Sequence, residues 1–244
     1  MIADILTVAI KELREIFTLG DTRGRSKFSL LVLIVIFGII IPLQNGREWV
    51  TSPANVMVWI WMPFLWVSGV VADLFAGERE RHTLEALLAT RLSDQSILFG
   101  KLLAAMAYGF ILTWVIMLAG IVTVNVSDGG NGLFFYPAEV ILAAFVFSIL
   151  ISGLSASIGV LVSLRASSTR QAQQMMFAGL LLLFLPFMLL RFIPEAWLNY
   201  LNEVVTRLSP AQIALYFALA VIILETILVL IAVRLFQRSK LILD

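Results

Sequence analysis

GERERHTLEALLAT, residues Gly77 to Thr90, interrupts a chain that is otherwise unusually apolar. Five charged residues and the only histidine fall between Glu78 and Glu85. On either side the sequence is greasy enough to be lipid-embedded, so this stretch must be a turn-around point between two buried segments. Outward from it, apolar runs recur at about 28–43, 54–76, 97–126, 138–164, 174–190 and 213–236. Hydrophobic residues make up 61% of the 244, charged residues 14%, and the mean hydropathy is +1.00. Soluble domains are nearer half apolar and a quarter charged, so the solvent of this chain is a bilayer. A helix needs about 20 residues to cross the hydrocarbon core. The first run is short and crosses only if Lys27 snorkels or the bilayer thins. No run alternates with period two, which excludes a membrane β-barrel. Helices satisfy their own backbone hydrogen bonds in lipid. The expected fold is all-α, with six transmembrane helices.

Fourteen of the 17 Lys and Arg residues fall on one side of that arrangement: Lys11, Arg14, Arg23, Arg25 and Lys27; Arg79, Arg81, Arg91 and Lys101; Arg165 and Arg170; Arg234, Arg238 and Lys240. Only Arg47, Arg191 and Arg207 fall on the other. Positive residues stay inside, so both termini and the 77–90 loop are expected in the cytoplasm of a multi-pass protein of the cell membrane. The opposite side collects Trp49, Trp59, Trp61, Phe134, Phe135, Tyr136, Trp197 and Tyr200, which reads as a headgroup-level aromatic belt. The whole chain forms one transmembrane domain. A cytoplasmic amphipathic helix occupies 1–27, the bundle 28–236 and a cytoplasmic tail 237–244.

Three shorter elements complete the plan. Near the start, Ile2, Ile5, Leu6, Ala9, Ile10, Leu13 and Phe17 share one helical face, and Lys11, Glu12, Arg14 and Glu15 the other. This suits an interfacial helix or a helix packed on a partner. Between the last two runs, Pro194 and Pro210 bracket a helical stripe through Trp197, Leu201 and Leu208, either a short external helix or a connector. In the opening stretch itself, Leu84, Leu87, Leu88 and Leu92 follow i, i+3, i+4, i+8 on one helical face, with Thr83 at its start and Glu85 in the first turn, where negative charge is favoured. Ser93 reads as the N-cap of the next helix. A loop that served only as a topology signal would need neither the acids nor the leucines.

The run GERERHTLEALLATRLSDQSILFGKLLAAM resembles the pattern after the second span of ABC-2-type transporter permeases, close to G-E-[RK]-E-x-G-T-L-E-x-L-L-x-[TS]-P-x-S and then G-K-x-[LI]. Gly77, Glu78, Arg79, Glu80, Thr83, Leu84, Glu85, Leu87, Leu88, Thr90, Ser93, Gly100 and Lys101 carry the likeness. His82 stands where Gly is usual and Arg91 where Pro is usual. The opening AIKELREIF is similar to the family's KEL helix, and RASSTRQAQQ to its fourth-to-fifth loop. The branch associated with sodium export and nitrous oxide reductase maturation is closer than the polysaccharide exporters. The resemblance implies a permease dimer, of two copies or two homologous chains. A separate cytoplasmic ATPase subunit would bind ATP and magnesium. The loop after span two would be a coupling helix, with Glu78, Arg79, Glu80, Arg81, Thr83, Leu84, Glu85, Leu87 and Leu88 as its contact and anchoring residues. Export is the direction the family implies.

The chain offers no catalytic or metal centre of its own. A phosphate-binding loop needs G-x-x-x-x-G-K-[ST], and the single Gly-Lys pair, Gly100-Lys101, has Gln95 and Leu102 at the other required positions. His82 has no ligand partner at metal spacing, and cysteine is absent. Nothing points to nucleic acid. Asn125-Val126-Ser127 fits a glycosylation sequon, a cheap match. Glu225 lies mid-way along the last run, and a carboxylate there is a functional candidate by default. It lines a substrate or ion path, or it is a structural acid facing another helix. The small residues from Ser148 to Ser163 favour close helix packing. Two other classes stay open beside the ATP-driven permease: an ion-gradient transporter using Glu225, and a non-transporting membrane scaffold.

Overall fold

A computed structural model describes residues 1–18, 24–83, 87, 89–128, 132–189, 194, 197, 203 and 207–236. Helices dominate, and no strand occurs among the described residues. Helix α1 covers Ile2–Thr18. Helix α2 begins as Gly24–Val35, widens into a π-helical stretch at Ile36–Ile40 and ends as Ile41–Asn45. Helix α3 covers Val56–Val71, breaks over residues 72–75, and is followed by the short α4, Ala76–Glu80. The long helices α5 (Asp94–Ser127) and α6 (Ala138–Arg165) come next, then α7 (Thr169–Leu189) and α8 (Pro210–Leu235).

Four stretches are long and apolar enough to cross a membrane: Pro53–Glu80, Asp94–Ser127, Ala138–Arg165 and Pro210–Leu235. The first expected span is a shorter apolar helix, Leu30–Asn45, and the fifth is helical for 21 residues. The expected external helix and the tail lie almost wholly outside the described residues.

The centre of the bundle is α3 against α5 and α6. Small residues of α6 make this possible. A Cβ built on Gly159 would lie 1.9 Å from Cγ1 of Val71, so only glycine lets α3 and α6 approach there. The serines of α6 serve α3 as well. Ser163 Oγ accepts from the backbone N–H of Phe75 (3.2 Å) and of Ala76 (2.9 Å), and donates to the Ala72 carbonyl (3.0 Å). The break in α3 exposes backbone groups that an intact helix would pair internally, and one buried hydroxyl satisfies three of them. The π stretch of α2 is served similarly, with Thr123 Oγ1 donating to the Gly38 carbonyl at 2.8 Å. Helix α8 packs on α6 and leaves most of its apolar surface uncovered, including Leu215, Leu219, Ile223 and Leu230. Lipid is the natural cover for such a face.

The expected aromatic belt is partly a core. Trp49, Trp59 and Tyr136 are buried at 4%, 0% and 4% exposure, with ring centroids 5.6–5.7 Å apart. Edge-to-face packing stabilises such groups beyond their buried area, which draws them inside. Phe135 and Trp197 stay exposed. Asn125 closes the same end of the bundle. Its side chain accepts from the Phe134 N–H at 2.7 Å and donates to the Phe134 carbonyl at 2.8 Å.

Candidate functional site

At the opposite end, four elements converge on one lysine. Lys101, in the second turn of α5, is fully buried. Its Nζ donates to Glu78 Oε1 (2.8 Å), Glu12 Oε1 (3.0 Å) and the Leu74 carbonyl (2.9 Å), and lies 5.3 Å from the centre of the Phe75 ring. Three protein acceptors are what an ammonium can satisfy. A lysine carried into an apolar interior survives only with such partners. Glu12 comes from α1, Glu78 from α4, and Leu74 and Phe75 from the break in α3.

This arrangement explains why α1 docks as it does. A Cβ on Gly100 would lie 2.6 Å from Val8 Cβ and 3.0 Å from the Ile5 carbonyl oxygen. Glycine at 100 therefore lets α1 lie directly on α5, and lysine at 101 then reaches Glu12. The buried face of α1 is Val8, Ala9 and Glu12, while Ile2, Leu6 and Ile10 point away from the bundle. The sequence pattern assigned Glu12 to the wet face, and the structure corrects that: the fit to Lys101 draws it inside. The apolar stripe of Ile2, Leu6 and Ile10 stays exposed while the opposite face of α1 packs on its own bundle. Beside it, burial alone would lower the pKa of Lys11. Glu12 and Glu15 more than reverse this and hold it above the ordinary lysine value.

The charged stretch divides into anchors and an exposed ridge. Glu78 is an anchor, 7% exposed and committed to Lys101. Arg79 is another. Its guanidinium donates to the carbonyls of Ala166 (2.6 Å) and Leu164 (3.0 Å), the last turn of α6 and its C-cap. A cation there also meets the negative end of the helix dipole. Glu80 accepts from the Thr169 hydroxyl at 2.8 Å, which ties the stretch to the first residue of α7. Arg81 pairs with Asp73 at 3.1 Å, both about half exposed. Thr83 donates from N–H and hydroxyl to the Glu78 carbonyl, at 2.9 and 3.3 Å. What faces solvent is Glu80, Arg81, His82 and Thr83, followed by Ala89, Thr90 and Arg91. Leu87 and Leu92 pack against the core cluster of the bundle. Leu84, Glu85 and Leu88 lie outside the described residues. Ser93 caps α5 as expected, accepting from the Ser96 N–H at 3.1 Å.

His82 carries φ of +54°, the one non-glycine residue in the left-handed region among those described. Glycine visits that region without steric cost. The departure at His82 therefore sits at the one backbone position here that favours glycine.

Sequence reasoning placed the charged stretch but missed the lysine beneath it. A lysine inside an otherwise apolar helix was the available signal, and it was absorbed into the count of cytoplasmic cations. Glu225 sits elsewhere, on α8 facing α6, with its carboxylate over Gly153. Among the described residues no group of His, Cys, Asp and Glu could hold a metal ion.

Residues 62–241 match the family described as ABC-2 family transporter protein. The chain belongs to the ABC-2 transporter family. It is a multi-pass membrane protein of that family, as the apolar helices require. It is also similar to the ABC transporter permease protein NatB of Bacillus subtilis (strain 168), with 31% identity over 122 residues. The match covers 48% of this chain and 31% of NatB, so the chain spans well under half of that relative. The family match begins inside α3 and omits α1, yet α1 supplies one of the two carboxylates on which this ABC-2 protein's Lys101 depends.

Proposed function

We propose that this chain is the membrane-spanning permease subunit of an ATP-driven transporter, working as an exporter by alternating access. ATP and magnesium are bound and ATP is hydrolysed in a separate cytoplasmic ATPase subunit. The permease crosses the membrane six times, has both termini in the cytoplasm, and pairs with a second copy or a homologous permease. The observation that carries the reading is mechanical. The exposed ridge from Glu80 to Thr83 is bonded by its own anchors to the starts of α5 and α7, the end of α6 and the break in α3. A load applied to that ridge reaches the central helices through short polar contacts, of which the Glu78–Lys101 pair is buried. The relative's name, an ABC transporter permease, supports the same assignment.

The experiment reverses only exposed charges, Glu80→Lys, Arg81→Glu and Arg91→Glu together, and follows co-purification with a co-expressed partner ATPase and ATP hydrolysis by the reconstituted complex. Like charges placed across an interface cost several kcal/mol, and each 1.4 kcal/mol is tenfold in affinity. The expected variant inserts and melts like wild type but loses the ATPase or its substrate-stimulated turnover. Wild-type assembly and transport would refute the coupling role. Labelling from outside at Glu48→Cys but not at His82→Cys checks the orientation.

A further inference from the structure

Helix α1 has three faces. Val8, Ala9 and Glu12 are buried against the bundle, flanked by half-buried Ile5 and Ile16. Ile2, Leu6, Ile10 and Phe17 make the next stripe, each between 45% and 73% exposed. Thr7, Lys11 and Arg14 make the third, with Lys11 paired to Glu15 at 3.0 Å. The direction of α1 decides what the apolar stripe meets. Early in the helix, a Cβ on Gly100 would lie 3.0 Å from the Ile5 carbonyl oxygen and 2.6 Å from Val8 Cβ. At its end, the Phe17 ring lies 5.5 Å from that of Tyr108, and Leu13 and Ile16 pack on the cluster that holds Tyr108 and Leu112. From Val8 to Phe17 a helix advances about 13 Å, and from Gly100 to Tyr108 about 12 Å. The two advances match, so α1 runs along α5 side by side and in the same direction. A helix crossing α5 would touch it over one turn. Helix α2 takes the rest of α5: a Cβ on Gly38 would lie 3.0 Å from Ala119 Cβ, Thr123 donates to the Gly38 carbonyl, and Arg47 pairs with Asp128.

We propose that α1 dips into the leaflet at the Lys101 end of the bundle instead of lying flat on it, and that the end of its uncovered apolar stripe is a contact surface for lipid acyl chains. The length of α5 sets the depth. Its 34 residues span about 51 Å, against about 30 Å of hydrocarbon. Centred on that core, α5 leaves about 10 Å at each end, which puts Gly100 at the boundary and Tyr108 roughly 10 Å inside. By the pairing with α5, Ile2 stands at headgroup level, Leu6 and Ile10 bracket the boundary, and Phe17 is among the chains. Over the same stretch α5 exposes Leu103 and Ile111, so the surroundings at that height are apolar. The charges of α1 fit this placement. Lys11 and Arg14 come before its last turn, where long side chains reach back to water, and Ile16, Phe17 and Thr18 carry none. The first apolar helix, Leu30–Asn45, is about 24 Å long and falls short of the core. Helix α1 covers the part of α5 that it does not reach.

The chain has no cysteine, so single spin labels can be placed at Ile2→Cys, Leu6→Cys, Ile10→Cys and Phe17→Cys in the full chain, purified into lipid nanodiscs without any ATPase. Depth is read from the accessibility of each label to oxygen, which concentrates in hydrocarbon, relative to a water-soluble nickel chelate. Leu103→Cys on α5 calibrates the scale. The expected depth increases in the order Ile2, Leu6, Ile10, Phe17, by roughly 20 Å over the whole helix, with Ile10 within one turn of Leu103. The oxygen-to-nickel ratio at Phe17 is expected to exceed that at Ile2 several-fold. Melting temperatures equal to that of the unlabelled chain show that each labelled variant is folded. One common depth at all four sites means a flat interfacial helix and overturns the proposal. A Phe17 label open to the nickel chelate means a helix in water, and a label closed to both reagents means a protein partner on the stripe; either result overturns it as well.

Discussion

Replacing Lys101 with Met keeps the length of the side chain and deletes its charge. In the native protein Nζ lies 2.8 Å from Glu78 and 3.0 Å from Glu12, with all three side chains under a tenth exposed. At an effective dielectric of about 20, unit charges roughly 3 Å apart attract by about 5–6 kcal/mol. Two such contacts, less the repulsion between the acids, offset three desolvated ions at several kcal/mol each. The intact cluster is therefore near break-even. Removing the cation leaves Glu78 buried without a counter-charge and Glu12 with only the half-exposed Lys11, and breaking a buried pair in this way costs about 3–5 kcal/mol. At about 2–4 °C per kcal/mol for a chain of this size, Lys101→Met is expected to melt roughly 6–20 °C lower in detergent. Protease sites in α1 should open at the same time, because Glu12 loses its anchor. The triple variant Glu12→Gln, Lys101→Met, Glu78→Gln removes charge from all three and should recover most of the loss. If Lys101→Met melts within 2 °C of wild type, or the triple variant is worse than the single, the ion cluster does not hold α1.

Two further outcomes follow from local geometry. His82→Gly is expected to raise stability by about 0.5–1 kcal/mol, since left-handed backbone costs a non-glycine residue about 1 kcal/mol or more and glycine gives back part of that in unfolded-state entropy; a lower melting temperature would contradict the assigned backbone. Ser163→Ala strands two N–H groups and a carbonyl in the interior, at about 1–3 kcal/mol per unsatisfied group, so a loss of about 3 kcal/mol or more is expected in thermal unfolding, and a neutral result would show that the break in α3 is supported some other way.

Much of the architecture was legible because lipid imposes simple rules. Length and apolarity alone located the α3, α5, α6 and α8 spans to within a few residues, and Ser93 announced the start of α5 by its capping chemistry. The failures share one cause. A linear pattern ranks residues by solubility, whereas burial depends on what sits opposite. Trp49, Trp59 and Tyr136 looked interfacial because aromatics favour headgroups, but their rings find each other first. Glu12 and Glu78 looked solvent-facing because acids usually are, until Lys101 is placed between them. Within the charged stretch, Glu78 and Arg79, its most motif-like members, hold it to the bundle, and Glu80 to Thr83 form the surface. Partners distant in sequence, such as Arg79 with Leu164 and Ala166, 85 and 87 residues away, leave no trace in local periodicity.

The ion cluster also orders the making of the protein. Glu12 and Lys101 are 89 residues apart, which at ordinary translation speeds of about 5–20 residues per second separates their synthesis by roughly 4–18 seconds. Through that interval α1 lacks its buried partner, and its apolar residues Ile2, Leu6 and Ile10 are exposed even in the finished structure. The lock closes once α5 has been inserted with its lysine at the correct depth. An α5 threaded backwards carries Lys101 away from Glu12, which keeps only its contact with the half-exposed Lys11. The contact that seats α1 thus depends on a residue made long after it.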